Sequence, residues 1–185
     1  MRLYRQTVED FDIYAGREFS NEELKNLRTA AGEVSAKMRA VRIVSASSVS
    51  KSDLERRLVQ KGESQKDAGR AVEWMSQMGL VDDVKTAQQV VQHCIAKGYG
   101  PARAKQALYE KQIPKEYWDA AMAGYPDQTE KILSFLSAHL GSSREQKDIR
   151  RVTDALLRRG HSYPQIRRAL NQYLEDWDPL EDVYG

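Results

Sequence analysis

One short pattern occurs three times along the chain: LVQKG at residues 58–62, LYEKQ at 108–112 and LLRRG at 156–160. Each copy has a leucine, a basic residue three positions later and then a position suited to a helix break. A second short helical segment follows each copy and closes on an alanine and an aliphatic residue, at 71–72, 121–122 and 169–170. The copies stand about fifty residues apart, a period typical of stacked helical units.

The pattern predicts an all-α fold of three tandem three-helix repeats. Each repeat is too small to bury its apolar face alone, so neighbouring repeats are expected to stack into an elongated, curved body. We expect an amino-terminal extension, three repeats and an acidic tail, at residues 1–20, 21–79, 80–125, 126–174 and 175–185. Bodies of this kind usually bind other macromolecules along their continuous surfaces.

Local signals place several helix ends within the first repeat. Ser20 and Glu23 have the spacing of a capping box, which predicts a helix directly after Ser20. Gly32 predicts the end of that helix, and apolar residues at helical spacing predict a second helix beyond it. Ser52 and Glu55 have capping-box spacing too and predict the start of the next helix.

The first nineteen residues lack helical spacing. Their apolar residues sit among polar ones, and Ala15-Gly16 has the composition of a turn. A short hairpin is therefore the expected form of the amino-terminal extension.

The composition indicates a helix-rich chain with much exposed surface: 41% of the 185 residues are hydrophobic and 30% are charged. No apolar run approaches the roughly 20 residues that a membrane span needs. The first twenty residues carry charges throughout, unlike a signal peptide. The lone Cys94 cannot form an intrachain disulfide, which agrees with a reducing compartment. We expect a cytoplasmic monomer without membrane contact.

Basic residues recur on the middle helix of each predicted repeat. They are Arg56, Arg57, Lys61, Arg103, Lys105, Lys111, Arg150, Arg151, Arg158 and Arg159. Arg167 and Arg168 complete this candidate partner-binding set, and only acidic residues carry charge beyond them. Because the net charge is only +2, the local clustering matters more than the total. Recurrence at matched positions predicts a shared exposed face.

Three interpretations of these cations remain open. They could neutralise nucleic-acid phosphates, with affinity that falls as salt rises. They could pair with the carboxylates of a protein partner, for which arginine offers a planar fork. They could instead cover apolar seams while their charged heads stay in water. The acidic tail similarly suits an electrostatic partner, a screen for the basic face, or a plain solvated end.

Catalytic and metal-binding patterns are scarce. His93, His139 and His161 lie far apart in sequence, and His93 beside Cys94 lacks a second ligand pair at zinc-site spacing. We expect no catalytic residue, no metal and no cofactor.

Two further motifs have structural explanations. Gly98-Tyr99-Gly100 resembles part of a nucleotide-binding loop, but a predicted helix rather than a strand precedes it, and Arg103 replaces the last glycine. Asp82-Asp83 could form an acidic metal pair, yet aspartates at this position are better explained as helix caps.

Several short segments occur in a characteristic order: SDLERRL at 52–58, KG at 61–62, GLVDD at 79–83 with Ala87, GPAR at 100–103 with Leu108, KQI at 111–113 and LLRRGHS at 156–162. Their order and spacing resemble those of the RecX regulatory proteins of bacteria, over about residues 21–174. Gln112 and His161 depart from the pattern, because the resemblance leads us to expect a glycine and an aromatic residue there.

The resemblance implies three tandem three-helix repeats and a non-enzymatic role in homologous recombination, DNA repair and the SOS response. The implied partner is the RecA recombinase filament, whose ATP hydrolysis, strand exchange and assembly such proteins modulate, usually as inhibitors. Contact with single- or double-stranded DNA through phosphates is a further expectation. The alternative is a helical nucleic-acid-binding module with no recombinase partner.

Overall fold

The computed structural model describes residues 3–175, and this part of the chain is all-α with no strand, as predicted. The elements are α1 (Arg5–Asp10), α2 (Asn21–Ala46), α3 (Lys51–Gln60), α4 (Gln65–Gln77), α5 (Asp83–Ala96), α6 (Pro101–Glu110), a 3₁₀ turn (Lys115–Tyr117), α7 (Trp118–Met122), α8 (Thr129–His139), α9 (Gln146–Arg158) and α10 (Tyr163–Glu175). Apart from Glu175, the predicted acidic tail lies outside the described residues. Within 3–175, no helix combines the length and the hydropathy needed to cross a bilayer.

The chain divides into two compact units. Among the described residues, the first unit comprises 3–86 and 111–113, and the second comprises 87–110 and 114–175. Helices α1 to α4 belong to the first unit and α6 to α10 to the second, while α5 begins in one and continues in the other. The finer division into three repeats stays a prediction.

The first unit is built around α2, α3 and α4. Leu54, Leu58 and Met75 are almost fully buried where these helices meet, and Trp74 packs against them from the edge. Burying each such side chain stabilises the fold by about 1.5–3 kcal/mol relative to leaving it exposed.

The second unit has an equivalent core made by α8, α9 and α10. Ile132, Leu136 and Ile166 are fully buried there together with Leu156. The leucines of the recurring pattern therefore mark core positions, because Leu58, Leu108 and Leu156 are all 0% exposed.

The predicted amino-terminal hairpin is wrong, because residues 5–10 form α1. Pairs of side chains four positions apart support this helix: Arg5 contacts Glu9 at 2.7 Å and Gln6 contacts Asp10 at 2.8 Å. Thr7 is buried on the opposite side. This segment has no apolar residues at helical spacing, and its helix is instead supported by polar side chains that bind one another.

The predicted helix end at Gly32 is also wrong, since α2 continues without a break from Asn21 to Ala46. A Cβ atom at residue 32 would lie 2.7 Å from Oδ2 of Asp67 in the first turn of α4. Glycine at this position leaves room for the Asp67 carboxylate and does not end the helix. The capping box of Ser20 and Glu23 at the start of α2 is confirmed.

Helix α3 begins two residues earlier than the capping pattern predicted. Its N-cap is Ser50, whose Oγ accepts the backbone N–H of Asp53, and not Ser52. Ser50 is fully buried, so the start of α3 lies inside the first unit.

The turn that follows each copy of the pattern is confirmed, and it uses a left-handed backbone. Gly62 has φ of 93° and Gly160 has φ of 87°, where glycine is the favoured residue. Gln112 keeps this conformation with φ of 53°, which side chains adopt infrequently. The departure at residue 112 therefore leaves the turn in place.

Candidate partner-binding residues

In the first unit, segment 111–113 holds the start of α3. Ser50 Oγ donates to the carbonyl of Lys111 at 2.7 Å, and Lys111 Nζ donates to the carbonyl of Ser48 at 3.1 Å. The backbone N–H of Lys51, which no helical carbonyl can satisfy, donates to Oδ1 of Asp83 at 2.8 Å. Lys111 thus has a structural partner within its own unit.

Asp82 and Asp83, at the start of α5, both act as caps. Asp82 Oδ1 accepts the N–H groups of Val84 and Lys85, at 2.9 and 3.1 Å, and so caps α5. Asp83 instead caps α3 through Lys51. The capping interpretation of this pair is confirmed, although sequence could not show that the two carboxylates serve different helices.

In the second unit, the turn before α6 packs against the turn after α9. The N–H of Gly100 donates to the carbonyl of Arg159 at 2.9 Å, and that of Ala102 donates to Gly160 at 3.3 Å. A Cβ at residue 100 would lie 2.1 Å from the Gly160 carbonyl oxygen, and one at 160 would lie 2.3 Å from Arg103 N. These glycines permit two backbones to meet, which explains the Gly98-Tyr99-Gly100 motif without a nucleotide.

The side chain of Arg159 also packs against the turn before α6. Its guanidinium lies 5.2 Å from the ring centre of Tyr99 and 5.0 Å from that of Phe135. Its Nη2 donates to the carbonyl of Lys97 at 3.1 Å. Stacking of a guanidinium on aromatic rings contributes about 0.5–2 kcal/mol, so this candidate binding residue has a structural role.

His161 lies beside Arg159 and is 4% exposed. Its Nε2 is 3.0 Å from the carbonyl of Gly98, so Nε2 carries the proton and donates it. Burial lowers the pKa of His161, the hydrogen bond to Gly98 partly opposes this shift, and the charge of Arg159 adds to it. A neutral imidazole therefore fills the place where the resemblance predicts an aromatic residue.

Three further candidate arginines form ion pairs with carboxylates of their own unit. Arg57 Nη2 lies 2.8 Å from Oδ2 of Asp53, and Arg56 binds the other oxygen of that carboxylate, which is only 2% exposed. Arg103 Nη1 lies 2.9 Å from Glu110 Oε1, and this hydrogen bond lowers the pKa of the Glu110 carboxyl. These pairs orient the guanidiniums and reduce their net charge.

Eight of the twelve candidate cations are exposed to solvent. Exposed members of the set are Arg56, Lys61, Lys105, Arg150, Arg151, Arg158, Arg167 and Arg168. Arg151 also lies 3.3 Å from Asp148 at the start of α9. Among residues 3–175, the arginines at 150, 158, 167 and 168 form no ion pair, so the second unit presents four uncompensated positive charges on α9 and α10.

A basic recess of the first unit includes residues that sequence reasoning missed. It has a volume of about 480 Å³ and lies between the second half of α2 and the end of α3. We call it the α2–α3 recess. Its lining is Tyr4, Ser35, Arg39, Arg42, Ile43, Ala46, Ser47, Arg57 and Lys61. Arg39 and Arg42 were not among the candidates because they belong to α2, whereas the recurring cations lie on the predicted middle helices.

A smaller cavity of about 250 Å³ lies in the second unit and includes Arg158 and the stacked side chain of Arg159. Tyr99, Arg103, Phe135 and Ala155 complete its lining. Since Arg159 already contacts two rings and a carbonyl, Arg158 is the more available cation at its mouth.

Comparison with known proteins places the chain in a family. The model of the second three-helix domain of RecX matches residues 82–122. Regulatory protein RecX of Xanthomonas campestris pv. campestris (strain B100) is 33% identical over 130 residues, which cover 69% of this chain and 80% of that relative. The chain belongs to the RecX family. Regulatory protein RecX of Vibrio vulnificus (strain CMCP6) is 27% identical over 141 residues, covering 75% of this chain and 92% of the relative.

Solved RecX structures share the fold. A crystal structure of regulatory protein RecX superposes with a TM-score of 0.68 at 18% identity and covers 91% of this chain and 86% of its own. RecX from Lactobacillus salivarius gives a TM-score of 0.65 at 19% identity, with coverage of 78% and 97%. The all-α fold predicted from the recurring pattern is thus that of RecX proteins, and the chain has a RecX regulatory role.

The histidines and cysteine of this RecX family member lie in ordinary structural positions. Cys94 is buried, which raises the pKa of its thiol. His139 stacks on Phe135 with ring centres 4.0 Å apart. Within the part of the chain that the structure describes, no cluster of three or more histidine, cysteine, aspartate or glutamate side chains could hold a metal ion.

Proposed function

We propose that this RecX family member binds the RecA nucleoprotein filament in its groove and inhibits its ATP hydrolysis, strand exchange and assembly. It acts without enzymatic chemistry, as a cytoplasmic monomer, in homologous recombination, DNA repair and the SOS response. Family membership carries this proposal, and the exposed arginines of the second unit support it.

The contact residues follow from the geometry of the cations. An arginine that already stacks on rings or caps a turn must break those contacts before it can bind a partner. Arg150, Arg158, Arg167 and Arg168 carry no such cost, because they are exposed and form no ion pair among the described residues. A guanidinium binds a carboxylate through two parallel hydrogen bonds, which suits an acidic protein surface. We assign partner contact to these four first.

The inhibitory mechanism is occupancy. A protein bound across neighbouring filament subunits hinders the rearrangements that accompany nucleotide hydrolysis, and one bound at an end blocks further addition. Such an inhibitor needs no catalytic residue, and its effect should saturate with the number of filament sites.

The test follows ATP hydrolysis by RecA on single-stranded DNA, with filament length measured in parallel. Adding the purified protein should lower the hydrolysis rate and shorten the filaments in a saturable manner. Unchanged rate and length at saturating protein would rule out the proposal.

Nucleic-acid binding without a recombinase is the second candidate, because unpaired exposed arginines also suit phosphates. Salt distinguishes the two functions. Binding to bare DNA should weaken steeply with salt, in proportion to the number of phosphate contacts. Binding to the recombinase filament should persist at salt concentrations where bare DNA no longer binds; loss of both at the same salt concentration favours the second candidate.

A further inference from the structure

The α2–α3 recess brings together cations from two separate helices of the first unit. Arg39 and Arg42 come from α2, while Arg57 and Lys61 come from α3 and its cap. Its volume of about 480 Å³ falls in the range of small-molecule sites, which is roughly 300–1,000 Å³. The recess is therefore large enough for a ligand of nucleotide size.

Buried carboxylates fix two of the arginines. Arg39 Nε lies 2.7 Å from Oε1 of Glu63, whose side chain is 8% exposed, and Arg39 Nη1 donates to the Lys61 carbonyl at 2.8 Å. Arg57 is held at 2.8 Å by Asp53, which is 2% exposed. A guanidinium has five N–H donors, so each arginine keeps donors for a ligand while its position is set by the protein.

The charge of the recess favours a dianion. Four cations line it and two carboxylates touch them, which leaves two positive charges without an ion-pair partner among the described residues, on Arg42 and Lys61. A phosphate monoester carries about two negative charges near neutral pH and three strong acceptor oxygens. A single carboxylate offers one charge and two oxygens, so an acidic side chain matches this recess less well.

The remaining lining suggests what carries the phosphate. Tyr4, which precedes α1, adds an aromatic ring to the cationic lining, and Ile43 and Ala46 add apolar surface. Sites that combine cations with aromatic side chains are typical of nucleotide-containing ligands, because bases stack on the rings.

We propose that the α2–α3 recess binds a nucleoside phosphate, with the phosphate monoester among Arg39, Arg42, Arg57 and Lys61 and the base beside Tyr4. The ligand is either a free nucleotide or the 5′-phosphorylated end of a single strand, which share this chemistry. The site does not depend on recombinase binding, and its test contains no recombinase.

The experiment is calorimetric titration of the full chain with 5′-AMP, adenosine and inorganic phosphate. We expect saturable binding of 5′-AMP, weaker binding of phosphate and none of adenosine. Binding of adenosine as tight as that of 5′-AMP, or no saturable binding of 5′-AMP at millimolar concentration, overturns the proposal.

Variants locate the site. Arg42→Ala should weaken 5′-AMP about tenfold, the size expected when a charged hydrogen-bonding partner is lost. Tyr4→Ala should weaken it about fivefold through lost stacking, while Tyr4→Phe should not. Arg28→Ala, which removes an exposed arginine of α2 outside the recess, is the matched control and should bind as the parent chain does.

Circular dichroism and melting should be unchanged in Arg42→Ala, because Arg42 is exposed. Equal affinity of Arg42→Ala and the parent chain would contradict the assignment even if the nucleotide binds. Two short oligonucleotides, one with a 5′-phosphate and one with a 5′-hydroxyl, separate the two sources. Preference for the phosphorylated end over 5′-AMP identifies a strand end, and the reverse preference identifies a free nucleotide.

Discussion

The end of α3 in the first unit and the end of α9 in the second carry matching copies of the recurring sequence pattern, but the contacts of their basic residues differ. Lys61 follows α3, is exposed and borders the α2–α3 recess. Arg159 follows α9, stacks on Tyr99 and Phe135 and donates to a carbonyl. A cation that recurs at matched positions of the sequence pattern can therefore be exposed in one unit and part of the packing in another.

The two turns that follow Lys61 and Arg159 should differ most in how much unfolding free energy an alanine substitution removes. Gly160→Ala should destabilise the chain by about 3 kcal/mol or more, because its Cβ would overlap the backbone of Arg103 and its φ of 87° is strained for a side chain. Gly62→Ala has the same strain but open space, so about 1–2 kcal/mol is expected. Denaturant unfolding of both variants measures this, and equal losses would mean that the backbone contact contributes nothing.

Replacing the basic residues Arg159 and Lys61 should give a smaller difference in unfolding free energy. Arg159→Ala removes two ring contacts and one hydrogen bond and should cost about 2 kcal/mol of unfolding free energy. Lys61→Ala removes an exposed side chain and should stay within about 0.5 kcal/mol of the parent. Thermal and denaturant melts of the pair check this. If Arg159→Ala unfolds like the parent chain, the structural role of Arg159 is wrong and Arg159 is again a candidate for partner contact.

The pH-dependent contribution of His161 in the second unit to the free energy of unfolding should be smaller still. His161 is neutral in the fold, and its folded pKa is lowered, whereas in the unfolded chain it titrates near about 6.5. Stability is therefore fully present above that value and declines as pH falls below it, because the unfolded chain gains the proton first. Unfolding measured at about pH 7 and about pH 5 should show a larger loss for the parent than for His161→Gln. An identical loss in both would assign the effect to other groups.

Much of the fold could be predicted because its signals are local. The spacing of Leu58, Leu108 and Leu156 reports core positions, and the glycines that follow Leu58 and Leu156 mark turns with a left-handed backbone. The capping box at Ser20 was similarly predictable from four residues. Signals of this kind need no knowledge of which helices meet.

The errors and omissions depend on contacts between distant residues. Gly32 predicted a helix end because sequence could not show that the carboxylate of Asp67, thirty-five positions later, lies beside it. Arg159 was predicted to bind a partner because Tyr99 and Phe135 could not be placed beside it from sequence. Arg39 and Arg42 were missed because only folding brings α2 against the end of α3. Composition showed how many cations exist but not which of them are free.

The most direct test of the account compares two sets of charge reversals in the inhibition of RecA-catalysed ATP hydrolysis. One variant changes Arg150, Arg158, Arg167 and Arg168 to glutamate, and a matched control changes the exposed residues Lys25, Arg28, Lys66 and Lys115. Both carry the same change in net charge, and both should keep the helicity of the parent. We predict that the first variant loses inhibition at least tenfold more than the control. Equal inhibition by the two variants, with folding intact, would contradict the assignment of these four arginines to partner contact.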